Sequence, residues 1–431
     1  MSRAYFIILA VLVLTTASNL TSEAVAQLVI IPRTIVLDGR ALALVKQRVQ
    51  QQDPITTAAL QTSVRYADKE MTQGPYSVTD KSKVPPSGDK RDYMSQGRYF
   101  WPDPTKPDGL PYVRKDGETN PESRGGDEER LMDMVRSVRY LSLAFYYMGD
   151  ERYATHAVLL LRTWFLDPQK RMNPRLLYAV FVPGVNDGRR IGMLETRHLL
   201  EVVDAVQLLD SARSLTPADR DGIKSWFREY VTWQLTNEQG YAKEPNPANI
   251  GTWCDAQLAG FSLYVGDLAT ARRVLESARK VRCFDPIEPD GRQPHELARA
   301  DAFGYSVFNL EALTTLASVG RTAGIDLWSY RAADGRGMQA AANFLVPFIA
   351  DQQSWTFGNK TAAGHNDQLV ELYRRLANFY GEERYEALVA KLPESTKATH
   401  VVELTLVYLS ARRPRGIPRA CGGFPHRAAR G

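Results

Sequence analysis

Apolar residues recur at intervals of three and four along most of the chain from residue 127 onward, the spacing of one face of an α-helix. The pattern predicts helices over 131–148, 152–165, 196–214, 218–233, 253–264, 268–281, 308–319, 337–348, 366–379 and 401–409. Two earlier stretches, 36–51 and 55–71, can also form helices. Between them and residue 127, the segment 81–124 is rich in proline and aromatic residues and is predicted to be a long loop of functional importance.

The predicted helices follow one another through short links, with no alternation of strands and helices. This order argues against a parallel α/β sheet and favours an all-α protein. Paired helices without a sequence repeat fit a closed α/α ring better than an open solenoid, whose repeats carry a fixed period. We therefore expect an incomplete (α/α) toroid or barrel of paired antiparallel helices.

Both ends of the chain differ from its body. Arg3, an apolar run over 5–14 and the small residues at 24–26 are typical of a secretory signal peptide, which we place at 1–26. An uncleaved N-terminal anchor is the alternative. A single domain is predicted over 27–410, followed by a basic, disordered tail at 411–431. The mature protein is expected to be secreted or periplasmic, to be a monomer and not to bind a membrane.

The net charge of +5 arises in the tail, because the last 20 residues contain six arginines and no acidic residue. The body is close to neutral, so the sequence gives no support for nucleic-acid binding. Three cysteines, Cys254, Cys283 and Cys421, are too few for a disulfide framework and lack the spacing of a zinc site. No metal or other cofactor is expected.

Polar and aromatic residues are concentrated in three segments, 90–122, 246–255 and 290–306. In the first, flat aromatic rings could stack on sugars while lysine and arginine pair with carboxylates. The same composition also fits a proline-rich cover whose aromatic residues are buried. Residue types alone leave these two interpretations open.

Taken together, five motifs resemble the alginate-lyase superfamily, and within it the secreted branch that degrades glucuronan and alginate. They are KRDYMS at 90–95 with YFWPDP at 99–104, PGVNDGR at 183–189, ETRHL at 195–199, ANIGTW at 248–253, and QPHELAR at 293–299 followed by Tyr305. The resemblance covers roughly residues 50–390 and implies the α/α toroid fold and β-elimination on a uronate polymer. The expected partner is therefore an acidic polysaccharide.

The resemblance also implies roles for individual residues. Tyr305 would be the acid, and Asn249 and Arg299 would hold the substrate carboxylate. His198 would be a further active-site member, although a histidine in its apolar helical stretch is also typical of a core. The implied substrate-binding residues are Lys90, Arg91, Tyr93, Tyr99, Trp101, Asn186, Arg189, Trp253 and Gln293. His295 and His365 lie in polar segments and rank below these candidates.

Two positions depart from the family pattern. Ile250 stands where the family usually has its catalytic histidine, and Gly304 replaces a second histidine just before Tyr305. We expect Tyr305 to act as both base and acid, with its pKa lowered by Arg299. One group can do both only when H5 and O4 lie on the same face of the sugar, as in mannuronate and glucuronate.

Residue chemistry alone leaves other interpretations of these positions open. Six residues along one helix would direct Arg299 and Tyr305 to different faces, unless Gly304 breaks the helix. Asn249 could simply cap a helix. The chain could also be a uronate-binding protein without activity, or a hydrolase using two of Asp255, Glu296 and Asp301.

Overall fold

The protein is a helical toroid, which confirms the predicted fold class. The computed structural model describes residues 30–240, 246–351, 354–358 and 362–393. Its α-helices are α1 (Gly39–Gln50), α2 (Pro54–Glu70), α3 (Asp127–Met148), α4 (Glu151–Leu161), α5 (Leu199–Leu208), α6 (Pro217–Thr236), α7 (Asn249–Val265), α8 (Leu268–Ala278), α9 (Pro294–Leu297), α10 (Ala302–Ala323), α11 (Met338–Ala350), α12 (Asn366–Tyr380) and α13 (Glu383–Lys391).

Six helices form the inner arc of the toroid, packing side by side in the order α2, α3, α5, α7, α10 and α12. Outer helices cover this arc: α4 packs on α3, α6 and α8 on α7, α11 on α10, and α13 on α12. Side chains from both α3 and α12 line one interior cavity, so the arc curves around a central space. Helices α7 and α10 are buried along most of their length. They carry three of the predicted site residues, Asn249 and Trp253 on α7 and Tyr305 on α10.

Four short strands lie at one end of the toroid. β1 (Met94–Gln96) pairs in parallel with β4 (Tyr178–Phe181), and β2 (Phe100–Trp101) pairs with β3 (Val113–Arg114) as an antiparallel hairpin. The predicted long loop therefore contains a small hairpin. The backbone of this segment lies near α9 and α10, since a Cβ at Gly117 would be 3.7 Å from Ala300.

The other end of the toroid is closed by the N-terminal segment. The carboxylate of Asp204 on α5 accepts hydrogen bonds from three consecutive backbone N–H groups, at Ile35, Val36 and Leu37. Burial raises the pKa of Asp204 to about 6, and the three backbone donors oppose that rise. Segment 35–37 is thus tied to the inner arc by contacts that are distant in sequence.

Several helix ends differ from the predictions. The helix expected over 196–214 is shorter, because Arg190–His198 is a 3-10 helix and α5 begins only at Leu199. The helix expected over 152–165 finishes in a π-helical turn, Arg162–Leu166. Helix α10 starts at Ala302 with Asp301 as its cap. Arg299 therefore lies before the helix and Tyr305 lies within it, so the two residues do not share one continuous helix. The expectation of a break at Gly304 was wrong.

Some predictions fall outside the described residues: the signal peptide at 1–26, the helix at 401–409 and the tail at 411–431. Within the described part of the chain, no helix is long and apolar enough to cross a membrane.

A buried ion pair fixes the start of α7. Arg282 donates to both carboxylate oxygens of Asp255, at 2.6 and 3.3 Å, and both side chains are almost fully buried. Arg282 also donates to the carbonyl oxygen of Asn246, just before the helix. The pair therefore holds the turn that places Asn249 at the first position of α7.

Replacing Arg282 with methionine is expected to lower the free energy of unfolding by about 3–5 kcal/mol, because Asp255 would remain buried without its partner. The matched control is Arg292→Met, which breaks half-exposed surface pairs with Glu288 and Asp290 and is expected to cost about 1 kcal/mol or less. Urea unfolding of both variants measures the difference. Equal midpoints would contradict a stabilising role for the buried pair.

Candidate active site

A cavity of about 460 Å³ opens between the strand end of the toroid and the first turns of α7 and α10. Tyr305, Arg299 and Asn249 all line it, together with Tyr99 and Arg189 from the strand end. The structure therefore brings together five of the residues selected from the sequence.

The hydroxyl of Tyr305 is held between two neighbours. A guanidinium N–H of Arg299 donates to it at 2.8 Å, and it donates to the Tyr99 hydroxyl at 3.4 Å. The Arg299 guanidinium also lies 3.7 Å from the centre of the Tyr305 ring. A phenol and a fixed cation thus face the same space.

Arg299 is itself positioned by the segment that covers the cavity. Two of its N–H groups donate to the carboxylate of Asp116, at 2.8 and 3.2 Å. The hydrogen bonds from Arg299 hold the pKa of Asp116 down at about 2, with a further contribution from Arg114. This pair links the β2–β3 region to the loop before α10.

Burial raises the pKa of Tyr305 above its ordinary value, and the neighbouring Tyr99 adds to the rise. Arg299 acts in the opposite direction but does not outweigh burial. The expected lowering of the pKa by Arg299 is therefore present, but the loss of water outweighs it and the net shift is upward. At neutral pH Tyr305 is a protonated phenol, the form required of a proton donor.

Asn249 does not cap α7, because Ala248 is the cap residue. Its backbone N–H and its side-chain Nδ2 each donate to the carboxylate of Glu296, both at 2.6 Å. Burial raises the pKa of Glu296, and these two bonds from Asn249 oppose the rise. The Oδ1 atom of Asn249 is buried without a hydrogen-bond partner within the described residues. Asn249 therefore keeps an unused acceptor at Oδ1 beside the second hydrogen of its Nδ2 group.

Positive charge is concentrated around the cavity. Its lining contains three acidic residues, Glu128, Glu195 and Asp301, against five arginines: Arg98, Arg114, Arg189, Arg197 and Arg299. Burial and the nearby Glu128 raise the pKa of Glu195, which reduces its negative charge near neutrality. Such a lining suits a ligand that carries several carboxylates.

Arg189 and Arg197 have no carboxylate partner within the part of the chain that the structure describes. Arg189 lies 5.0 Å from the ring centre of Phe100, and Arg197 packs on the rings of Trp253 and Phe308. Aromatic faces hold both guanidinium groups, Arg197 also donates to the Leu194 carbonyl, and within the described residues neither group forms a direct ion pair.

Other predicted substrate-binding residues lie outside this cavity. Tyr93 is fully buried and donates to Glu195, and Gln293 is buried against α10. Arg91 pairs with Asp89. The carbonyl of Lys90 accepts a hydrogen bond from Lys81, and Trp101 donates to the Glu118 carbonyl. Asn186 lies in an exposed turn. The first motif thus combines both interpretations, with Tyr99 facing the cavity and Tyr93 in the core.

His198 and Trp253 line a second cavity of about 280 Å³, on the side of the N-terminal segment. His198 Nδ1 lies 3.0 Å from Glu201, while its Nε2 is buried without a partner within the described residues. Burial lowers the pKa of His198. Arg197 lines both cavities and lies between them. His198 therefore does not share the space that contains Tyr305.

The imidazole that does line the Tyr305 cavity belongs to His365, just before α12. His365 belongs to none of the motifs and lies 60 residues after Tyr305 in the sequence. The sequence therefore made it a weaker candidate than Tyr305. The only sequence signal for it was the absence of a side chain at Gly304, which leaves room for another group.

The three acids considered for a hydrolase do not flank one cavity. Asp255 is paired with Arg282, and Glu296 with Asn249. Only Asp301 lines the Tyr305 cavity, where it caps α10 and contacts His365. Within the described residues, no group of three or more His, Cys, Asp or Glu side chains is arranged to hold a metal.

Comparisons with known proteins agree with this architecture. A family model described as alginate lyase matches residues 77–355. The crystal structure of an alginate lyase from Bacteroides ovatus is 38% identical, with a TM-score of 0.82 over 88% of this chain and 99% of that chain. No curated protein sequence matches the chain.

More distant structures share the fold alone. Alginate lyase A1-III from Sphingomonas species A1 is 16% identical, with a TM-score of 0.55 over 83% of this chain and 91% of that chain. A variant of alginate lyase A1-III complexed with a tetrasaccharide is 17% identical, with a TM-score of 0.55 over 84% of this chain and 92% of that chain.

Proposed function

Because the chain belongs to the alginate lyase family and is a polysaccharide lyase, we propose that it cleaves β-1,4-linked uronate polymers, mannuronan or glucuronan, by β-elimination. The observation that carries this proposal is the Tyr305 hydroxyl, 2.8 Å from the Arg299 guanidinium in an arginine-lined cavity. The N-terminal sequence favours export of the enzyme from the cytoplasm. A secreted or periplasmic enzyme would be in contact with such polymers.

Elimination first requires the C5 proton to become acidic. When this proton leaves, negative charge spreads from C5 onto the neighbouring carboxylate, so cations at that carboxylate stabilise the intermediate. Arg299 and Arg189 line the cavity and supply this charge. Asn249 has Oδ1 available, so we assign this atom to accept a hydrogen bond from a sugar hydroxyl.

Tyr305 then carries the proton between the two reacting positions. The resting phenol first loses its own proton to solvent, and the resulting phenolate oxygen takes the C5 proton. The C4–O4 bond then breaks as a C4–C5 double bond forms, and the phenol returns the C5 proton to O4, which leaves Tyr305 as the phenolate. The hydrogen bond from Arg299 stabilises the phenolate, whereas burial favours the phenol. Tyr305 is thus an acid in its resting form and acts as a base only after ionisation, which the charge of Arg299 favours.

The arrangement predicts selectivity by stereochemistry. Mannuronan and glucuronan place H5 and O4 on one face and can use Tyr305 alone, whereas guluronan needs a proton acceptor on the other face. Ile250, which lines the cavity, provides none. We expect turnover of guluronan to be at least about 100-fold below that of mannuronan, the usual contribution of one acid–base group. Ultraviolet absorbance of the unsaturated product measures both rates, and equal rates would contradict the single-tyrosine route.

Ile250 also favours a second candidate function, a uronate-binding protein without activity, because no imidazole occupies that position. The ultraviolet absorbance assay distinguishes a lyase from a binding protein. Binding of mannuronan or glucuronan with no rise in absorbance would favour the binding protein. Sugar products without a double bond would instead indicate hydrolysis.

A further inference from the structure

We propose that His365 is a uronate-binding residue of the Tyr305 cavity, held by Asp301 and placed in the space left by Gly304. This inference deepens the proposed function and rests on it for the identity of the ligand. It concerns a residue 60 positions from Tyr305 that belongs to none of the sequence motifs.

The close approach of His365 to α10 is the first observation. A Cβ built at Gly304 would lie 2.6 Å from His365 Nε2, and closer still to Cε1. Real side chains do not approach so closely, so the imidazole occupies the volume that any larger residue at 304 would need. Glycine at this position is therefore the condition that allows His365 to reach the wall beside Tyr305.

The second observation is that Asp301 orients the ring. Its Oδ1 lies 3.1 Å from His365 Nε2 and also accepts the backbone N–H of Gly304, also at 3.1 Å. The carboxylate that caps α10 thus fixes the imidazole to the same turn that carries Tyr305. A carboxylate bonded to one ring nitrogen is the usual way in which the other nitrogen is directed toward a ligand.

The other ring nitrogen faces the cavity wall. Nδ1 lies 3.2 Å from Oε1 of Gln368, and both side chains line the cavity. Gln368 lies on α12. We assign Nδ1 to the bound uronate, whose oxygen would replace Gln368 Oε1. A neutral ring with Nε2–H on Asp301 accepts there from a hydroxyl, and a protonated ring donates there to a carboxylate.

The binding experiment is done without turnover, so that it does not depend on catalysis. Calorimetry measures the Kd of a mannuronate tetrasaccharide for Tyr305→Phe and for Tyr305→Phe/His365→Ala. Loss of one hydrogen bond to a charged ligand is expected to raise the Kd about tenfold or more. The control is Tyr305→Phe/His156→Ala, which removes the exposed histidine bonded to the Gln73 carbonyl and is expected to leave the Kd unchanged.

A swap variant separates a binding role from a structural one. Gly304→His in the Tyr305→Phe background is expected to weaken binding, because its Cβ would collide with His365. Adding His365→Ala removes the collision with the imidazole and returns an imidazole to the same space, while Asp301 Oδ1, 2.8 Å from the added Cβ, must shift slightly. We expect this triple variant to bind at least about fivefold more tightly than Tyr305→Phe/His365→Ala, with thermal unfolding confirming that every variant is folded.

Several results would overturn the proposal. They are an unchanged Kd on removal of His365, no recovery of binding in the swap, and no binding of the tetrasaccharide to Tyr305→Phe. Failure of the proposed function is seen separately, as absence of unsaturated product from the unmodified enzyme.

Discussion

Replacing Tyr305 with phenylalanine is expected to abolish elimination on mannuronan and glucuronan, with a fall in kcat of at least about 1,000-fold. The phenol is assigned to both proton transfers, so its removal leaves neither a base for the C5 proton nor an acid for O4. The ring, its packing and the contact with the Arg299 guanidinium remain. The effect should therefore appear in kcat, while the Kd for oligosaccharide changes little.

The matched control is Tyr66→Phe. Tyr66 lies on α2, where it stacks on Tyr140, and does not line the Tyr305 cavity. We expect this variant to keep the rate of the unmodified enzyme. If Tyr305→Phe kept more than about one tenth of that rate, the tyrosine would not carry the proton.

Replacing Arg299 with alanine is expected to lower kcat about 100- to 1,000-fold, the usual cost of losing one group that stabilises a developing anion. The loss is larger in the transition state than in substrate binding, because charge on the carboxylate grows as the C5 proton leaves. The variant also removes the donor that supports the Tyr305 phenolate. Steady-state rates of product absorbance give both kcat and KM.

Two further variants show whether the loss of rate in Arg299→Ala comes from the charge and geometry of this guanidinium. Arg299→Lys keeps a positive charge but loses the paired N–H groups that bind Asp116, so it is expected to recover only part of the rate. Arg321→Ala breaks an exposed ion pair with Asp38 and should leave activity unchanged. A rise in KM with kcat unaltered would show that Arg299 only binds substrate, and would remove it from the chemical step.

The fold could be predicted well because helical periodicity is a local property. The segment 131–148 falls within α3, and 366–379 within α12. Helix ends were predicted less well, since tertiary contacts determine them. The stretch 196–198 has a helical pattern but forms part of a 3-10 helix, in which Thr196 bonds to Tyr230 and Gln257 from other helices.

The site could be predicted only in part, and the reasons are physical. Motifs identified Tyr305, Arg299 and Asn249, and the structure places all three on one cavity. Sequence could not reveal that Asp116, 183 residues away, holds Arg299. Nor could it reveal that burial would outweigh Arg299 in setting the pKa of Tyr305, because loss of water depends on the whole enclosure.

The aromatic residues of the first motif show the same limit. Tyr99 and Tyr93 lie six residues apart in similar surroundings of sequence. One lines the cavity and the other is buried in the core, where it donates to Glu195. Tyr93 directly precedes β1 and Tyr99 directly precedes β2, so the chain between these two strands separates the two environments.

The most direct test is the crystal structure of Tyr305→Phe with a mannuronate tetrasaccharide. The account predicts one uronate with its carboxylate at Arg299 or Arg189. It also predicts C5 and O4 of the scissile linkage on the same side, facing the edge of the ring at position 305 at about 3–4 Å. A tetrasaccharide bound in the second cavity, or with C5 and O4 turned away from residue 305, would contradict it.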